Sequence, residues 1–216
     1  MSIWTMWLDV IRSLVEFLSS GLGLGLAVVV ATLLLRAIVL PISWSVAYRS
    51  CVRQKKMHRL QPELQRLKDQ FAGKPDLYFQ HMQKLYNKNG LSFVDGKSLL
   101  GSVAQMPLLL GMYQVLRGIG NGVRFLWVQN LIKPDLTLAI IAGVTTALMM
   151  SVNPDLPEQM RMVMIVVPSI IAVIAALKFC SVLALYWATS NCFSALQTAV
   201  LHYVVGRRIH SGVLTI

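Results

Sequence analysis

Apolar residues in this chain fall in long charge-free runs separated by short charged islands. Five runs are long enough to predict helices that span a bilayer. The first, 21–48, is broken only by Arg36. The second, 98–116, has 19 uncharged residues between Lys97 and Arg117, and the third, 136–152, lies in another 19 between Asp135 and Asp155. The fourth, 162–177, has only 16 between Arg161 and Lys178, and the fifth runs over 179–206. At the rise of an α-helix, the longer runs reach about 28 Å and the fourth only about 24 Å, against a hydrocarbon core of about 30 Å. The fourth span therefore implies local bilayer thinning or snorkelling of Arg161 and Lys178.

Two segments have a different pattern. Along 1–20, Trp4, Trp7, Leu8, Ile11, Leu14, Val15 and Leu18 recur at helical spacing opposite Asp9, Arg12 and Glu16. This predicts an amphipathic helix in the outer interface with its tryptophans at headgroup depth. No basic segment precedes it, so a cleaved signal peptide is not expected. In the island 49–97, Leu60, Leu64 and Leu67 form a narrow seam among Arg59, Glu63, Arg66 and Lys68. Ala72-Gly73-Lys74-Pro75-Asp76 reads as a helix stop, a turn and a restart. A second helix carries Leu77, Phe79, Met82, Lys84, Leu85 and Tyr86 towards Asn89-Gly90. The island is thus a basic helical hairpin, too small to be rigid alone and suited to contact with anionic lipids.

Composition agrees with the pattern: 56% of residues are apolar and only 13% charged, where soluble domains carry about 25% charged. Disorder, a disulfide-rich module and an ordinary soluble enzyme are excluded. The net charge of +11 would suggest nucleic acid in a soluble protein, but here it marks topology. Fourteen basic residues lie in the island, the 153–161 loop and the 207–216 tail, and five lie on the other side, chiefly in the 117–135 loop. The expected orientation is N-terminus out and C-terminus in, with no direct contact to nucleic acid. The fold class expected is an all-α integral membrane protein: a five-span core, an interfacial N-terminal helix and a cytoplasmic helical hairpin.

Arg36 is the chemical outlier. It lies 13 residues before Arg49, about 20 Å inside the membrane if helical. An arginine there costs at least about 2.5–3.5 kcal/mol, and no other span holds an acidic partner. Two readings remain: an arginine that caps carbonyls of a neighbouring helix, or one that faces a hydrated cavity. The second is preferred because polar stripes accompany it. Thr32 and Ser43 share its face; Ser98, Ser102 and Gln105 line one side of the second span; Tyr186, Ser190, Ser194 and Gln197 line the fifth, with Trp187 and Asn191 beside them. The histidines have no acidic neighbours, and phosphate-loop, metalloprotease and Cys/His metal patterns are absent from the sequence. No catalytic residue, cofactor or metal is predicted, and the chain is not expected to be an enzyme.

The run from Gly23-Leu24-Gly25-Leu26 through Thr32-Leu33-Leu34-Leu35-Arg36-Ala37-Ile38-Val39-Leu40-Pro41-Ile42 resembles the first core span of the YidC/Oxa/Alb membrane protein insertases. Leu60-Gln61-Pro62-Glu63-Leu64-Gln65-Arg66-Leu67, Gln105-Met106-Pro107 with Tyr113, Phe125-Leu126-Trp127, Ala142-Gly143-Val144 and Leu185-Tyr186-Trp187-Ala188-Thr189-Ser190-Asn191 follow in the family's order. The chain is similar to a short form without the large extracytoplasmic domain and without a long basic tail. The resemblance implies a bacterial inner-membrane insertase and chaperone that works through a hydrophilic groove without nucleotide hydrolysis. Arg36 and Thr32, then Gln105, Tyr186 and Trp187, fall on its groove positions. It also implies nascent membrane proteins as clients, with the Sec translocon and the ribosome as further partners near the hairpin residues Arg59, Arg66, Lys68 and Lys84. The alternative reading is a small transporter or channel in which Arg36 binds an anionic solute at the midplane.

Overall fold

The structure, a computed structural model, describes residues 2–91, 96–119, 122–154 and 158–212. Among them are eight helices: α1 (Ile3–Leu22), α2 (Leu24–Arg59), α3 (Gln61–Gln70), α4 (Pro75–Lys88), α5 (Gly96–Ile119), α6 (Leu136–Ser151), α7 (Glu158–Lys178) and α8 (Ser181–His210). The start of α1 is capped by Ser2, whose side chain accepts from the Thr5 N–H, and that of α6 by Asp135, which accepts from Leu138.

α2 packs against α8, and α6 lies against both α7 and α8; α1 and α5 close the other flank of α2. Small residues let these backbones approach: Ala27, Ala31, Ala139, Ala142, Ala176 and Ala184 are all buried. Val28, Leu35, Met112, Leu116, Val182 and Tyr186 fill the space between them. The outer surface is apolar instead of polar. Val163, Val166, Val167, Ile170, Ile171 and Ile174 are exposed on α7 alone, an area that water-soluble chains do not leave uncovered. Among the described residues, two helices, Leu24–Arg59 and Arg161–Lys178, are long and apolar enough to cross a membrane, and Leu136–Ser151 is a shorter apolar helix.

Three features differ from the sequence reading. The hydrophobic face of α1 does not lie open to a headgroup layer. Ile11 and Val15 are fully buried, Trp7 Nε1 donates to the Pro107 carbonyl at 3.0 Å, and Trp4 Nε1 donates to Gln114 Oε1 at 3.3 Å. The face read as lipid-facing packs on the protein. α1 also exposes a separate apolar stripe of Ile3, Met6, Val10 and Phe17. Hydrophobic spacing shows that a helix has an apolar face, but not whether lipid or protein covers it.

Second, α2 does not end near Tyr48. It runs through Pro41 and continues to Arg59, because no proline or glycine stands between Tyr48 and Pro62 to stop it. Its 36 residues reach about 54 Å, so the start of the basic island is the end of the same rod. Third, α7 has 21 residues, about 31 Å. Its uncharged stretch is short, but the helix is not.

The turn read at 72–76 falls between α3 and α4. The hairpin has a small core of Leu60, Tyr86 and Leu91 with Met57, Leu64, Met82 and Leu85 around it. Burial pushes the Tyr86 phenol above its ordinary range. Phe71 stacks on His81 with ring centroids 4.6 Å apart.

Candidate intramembrane polar site

Arg36 lies in the first half of α2, and its side chain points into the bundle, where it is only 8% exposed. Its Nη2 donates to the Ser190 hydroxyl on α8, 154 residues away in the chain. Tyr186 lies one turn before Ser190, beside the guanidinium. The partner is therefore a neutral hydroxyl, and among the described residues Arg36 donates to no carbonyl of a neighbouring helix. The buried Nε of Arg36 has no hydrogen-bond partner among the described residues. A guanidinium carries five N–H donors, so the site holds a positive charge with donor capacity to spare.

Two further polar layers lie along the same seam. Asn191 is buried and donates from Nδ2 to Thr146 Oγ1 on α6 at 2.8 Å. Thr146 in turn donates to the Ala142 carbonyl at 2.7 Å. Towards the C-terminal half of α8, Gln197 Nε2 donates to Ser43 Oγ at 3.4 Å. Beyond it, Cys51 Sγ is 3.5 Å from His202 Nδ1, and Arg208 sits over the Tyr48 ring at 5.5 Å.

The expected residues thus separate. Arg36, Tyr186 and Ser190 come together. Asn191 belongs to the neighbouring layer with Thr146, and Ser43 to the next with Gln197. Thr32 is fully buried, and its hydroxyl donates to the Val28 carbonyl of its own helix at 2.6 Å. Trp187 is half-buried. Ser102 and Gln105 lie on α5, and their side chains fall outside the described residues. Thr146 is missing from the expected set; a search for a partner to Asn191 among the polar residues of the third span would have pointed to it.

In the hairpin, Arg66 and Lys84 face one cleft of about 340 Å³, lined also by Glu63, Leu67, His81 and Lys88. Lys68 is exposed outside it, and Arg59 is the last residue of α2. Among the described residues, no cluster of three or more His, Cys, Asp or Glu could hold a metal ion.

A family model described as 60Kd inner membrane protein matches residues 17–207. The chain belongs to this family, the YidC/Oxa/Alb insertases. It is 32% identical over 196 residues to the membrane protein insertase YidC of Oceanobacillus iheyensis, covering 83% of this chain and 75% of that one. It is 36% identical over 197 residues to YidC 1 of Halalkalibacterium halodurans, covering 86% and 71%. The fold is similar to that of an active YidC insertase crystal structure with its first transmembrane domain resolved, with a TM-score of 0.68 at 19% identity. That likeness covers 94% of this chain and 47% of the other. The matched region of the insertase family includes all three polar layers and the hairpin.

Proposed function

We propose that this chain inserts integral membrane proteins into the bacterial inner membrane and helps them fold, without nucleotide hydrolysis. The observation that carries the reading is Arg36: a buried cation with a neutral partner and an unpartnered Nε, in a chain of the insertase family. A client's hydrophilic segment, favoured when acidic, enters from the cytoplasm and is held near Arg36 in a hydrated groove. Its carboxylates take up the spare guanidinium donors. The client's apolar segment then passes along α5 and α8 into lipid, driven by hydrophobic burial. The basic cleft of the hairpin, with Arg66 and Lys84, meets the client first and lies near the ribosome and the Sec translocon. Expression in an insertase-depleted strain is expected to restore insertion of a short client. The purified protein in liposomes is expected to protect the client's translocated segment from protease with no nucleotide added. Failure of both, or an absolute need for ATP, would overturn the reading.

In this reading α2, α5, α6, α7 and α8 are five spans with the N-terminus outside and the hairpin and tail in the cytoplasm. Cysteine labelling on intact cells checks it. Cys51 is a poor reporter because it is buried against α8, and Cys192 is exposed but in the middle of α8, within the proposed span. Cys180, at the α7–α8 junction, is expected to react with a membrane-impermeant maleimide. An introduced Lys84→Cys in the hairpin is expected to react only after lysis. The reverse order would invert the topology.

A further inference from the structure

The Phe125-Leu126-Trp127 motif has no part in the polar site, yet the turn that carries it is built with care. Phe125 and Val128 exchange backbone hydrogen bonds, both 2.9 Å. The Phe125 ring lies on the backbone of α2 at Gly25, where a Cβ would fall 2.0 Å from its Cδ2; only glycine leaves that space. Val128 is buried, and Leu131 N–H bonds the Val123 carbonyl at 3.1 Å. The turn is therefore fixed to α2.

At its tip the polarity is reversed from that of an ordinary surface turn. Leu126 takes φ 51°, a left-handed conformation that suits glycine or asparagine, and is 74% exposed. Trp127 is 49% exposed. Its indole N–H donates to Asp135 Oδ1 at 3.3 Å, the same oxygen that caps α6 through Leu138 N–H. Trp127 thus sits at the head of a single exposed stripe on α6: Leu136, Ile140, Val144 and Leu148. An indole with its N–H bonded, its ring open and an apolar helix face running away from it matches the chemistry of a membrane–water interface. Arg124 beside the tip is placed to reach headgroup phosphates.

We propose that the 125–128 turn is a lipid anchor: Leu126 and Trp127 dip into the headgroup–acyl boundary of the outer leaflet and set the depth of α2 and α6. The assignment to the outer leaflet rests on the orientation given above; contact with lipid does not. Bromine-labelled lipids in both leaflets therefore test the anchor separately from the cysteine labelling. The difference in tryptophan emission between wild type and Trp127→Phe, in liposomes, isolates Trp127 from the other four. It is expected to be quenched strongly by bromines near the headgroup and weakly by bromines near the bilayer centre. Quenching by aqueous iodide without bromine quenching would place the tip in water and overturn the anchor. Quenching by neither would mean that protein covers it, including a second copy of the chain, and would overturn it as well. Leu126→Gly supplies a second readout, because it relaxes the backbone while removing the apolar tip. The melting temperature is expected to rise in detergent and fall in liposomes; a rise in both would make the turn merely structural.

Discussion

Arg36→Glu is expected to abolish insertion of clients whose translocated segments are acidic, while Arg36→Lys retains most of it. The Ser190 hydroxyl can accept from an ammonium as it does from Nη2, so the lysine variant keeps both the charge and the contact. Glutamate reverses the charge where a client carboxylate would arrive, so that attraction becomes repulsion at the point of capture. Arg36→Ala is expected to fall between the two for acidic clients and to spare neutral ones. The measurement is reconstituted insertion of paired clients differing only in acidic residues, with each variant's folded level checked by its melting temperature in detergent. If Arg36 were only a structural liability, its removal would relieve at least about 2.5 kcal/mol and both clients would insert as before. Equal insertion of the pair by wild type and Arg36→Ala, at equal protein levels, would remove the electrostatic role.

The second large effect is expected at Gly143, where α6 meets α7. A Cβ there would lie 2.4 Å from Val173 Cγ2 and 3.2 Å from the Ser169 carbonyl. Valine's stiff side chain and a helix backbone leave little room for adjustment. Gly143→Val is expected to cost about 1–3 kcal/mol, typical of overpacking, and to lower the melting temperature in detergent. Thr146, the partner of Asn191, is on the same helix less than one turn away, so insertion activity should fall too. Gly143→Ala with Val173→Ala is expected to recover most of the loss seen with Gly143→Ala alone. Equal stability of that double variant and Gly143→Ala would show that Val173 is not what the glycine accommodates.

Much of this architecture is legible in residue order alone. Charge-free length marks the apolar runs because a bilayer admits few charges, and the basic island stands out for the same reason. Gly73 and Pro75 stop and restart the hairpin because their backbone preferences are local. Arg36 is conspicuous because its cost depends only on its depth along one helix. The motif order of the insertase family is a property of the sequence as well.

Tertiary structure decided the rest. The apolar face of α1 is equally suited to lipid and to protein; only the closeness of Trp7 to Pro107 and of Trp4 to Gln114 shows which covers it. The polar stripes of the second and fifth spans are similar as sequence, and the packing angle of α8 determines that Ser190 meets Arg36 while Asn191 meets Thr146. Thr32 sits one turn from Arg36 on the same face, yet its hydroxyl turns back to its own helix. Periodicity fixes which residues share a face of one helix; which face meets which neighbour depends on contacts between residues distant in the chain, and these are set only when the helices pack.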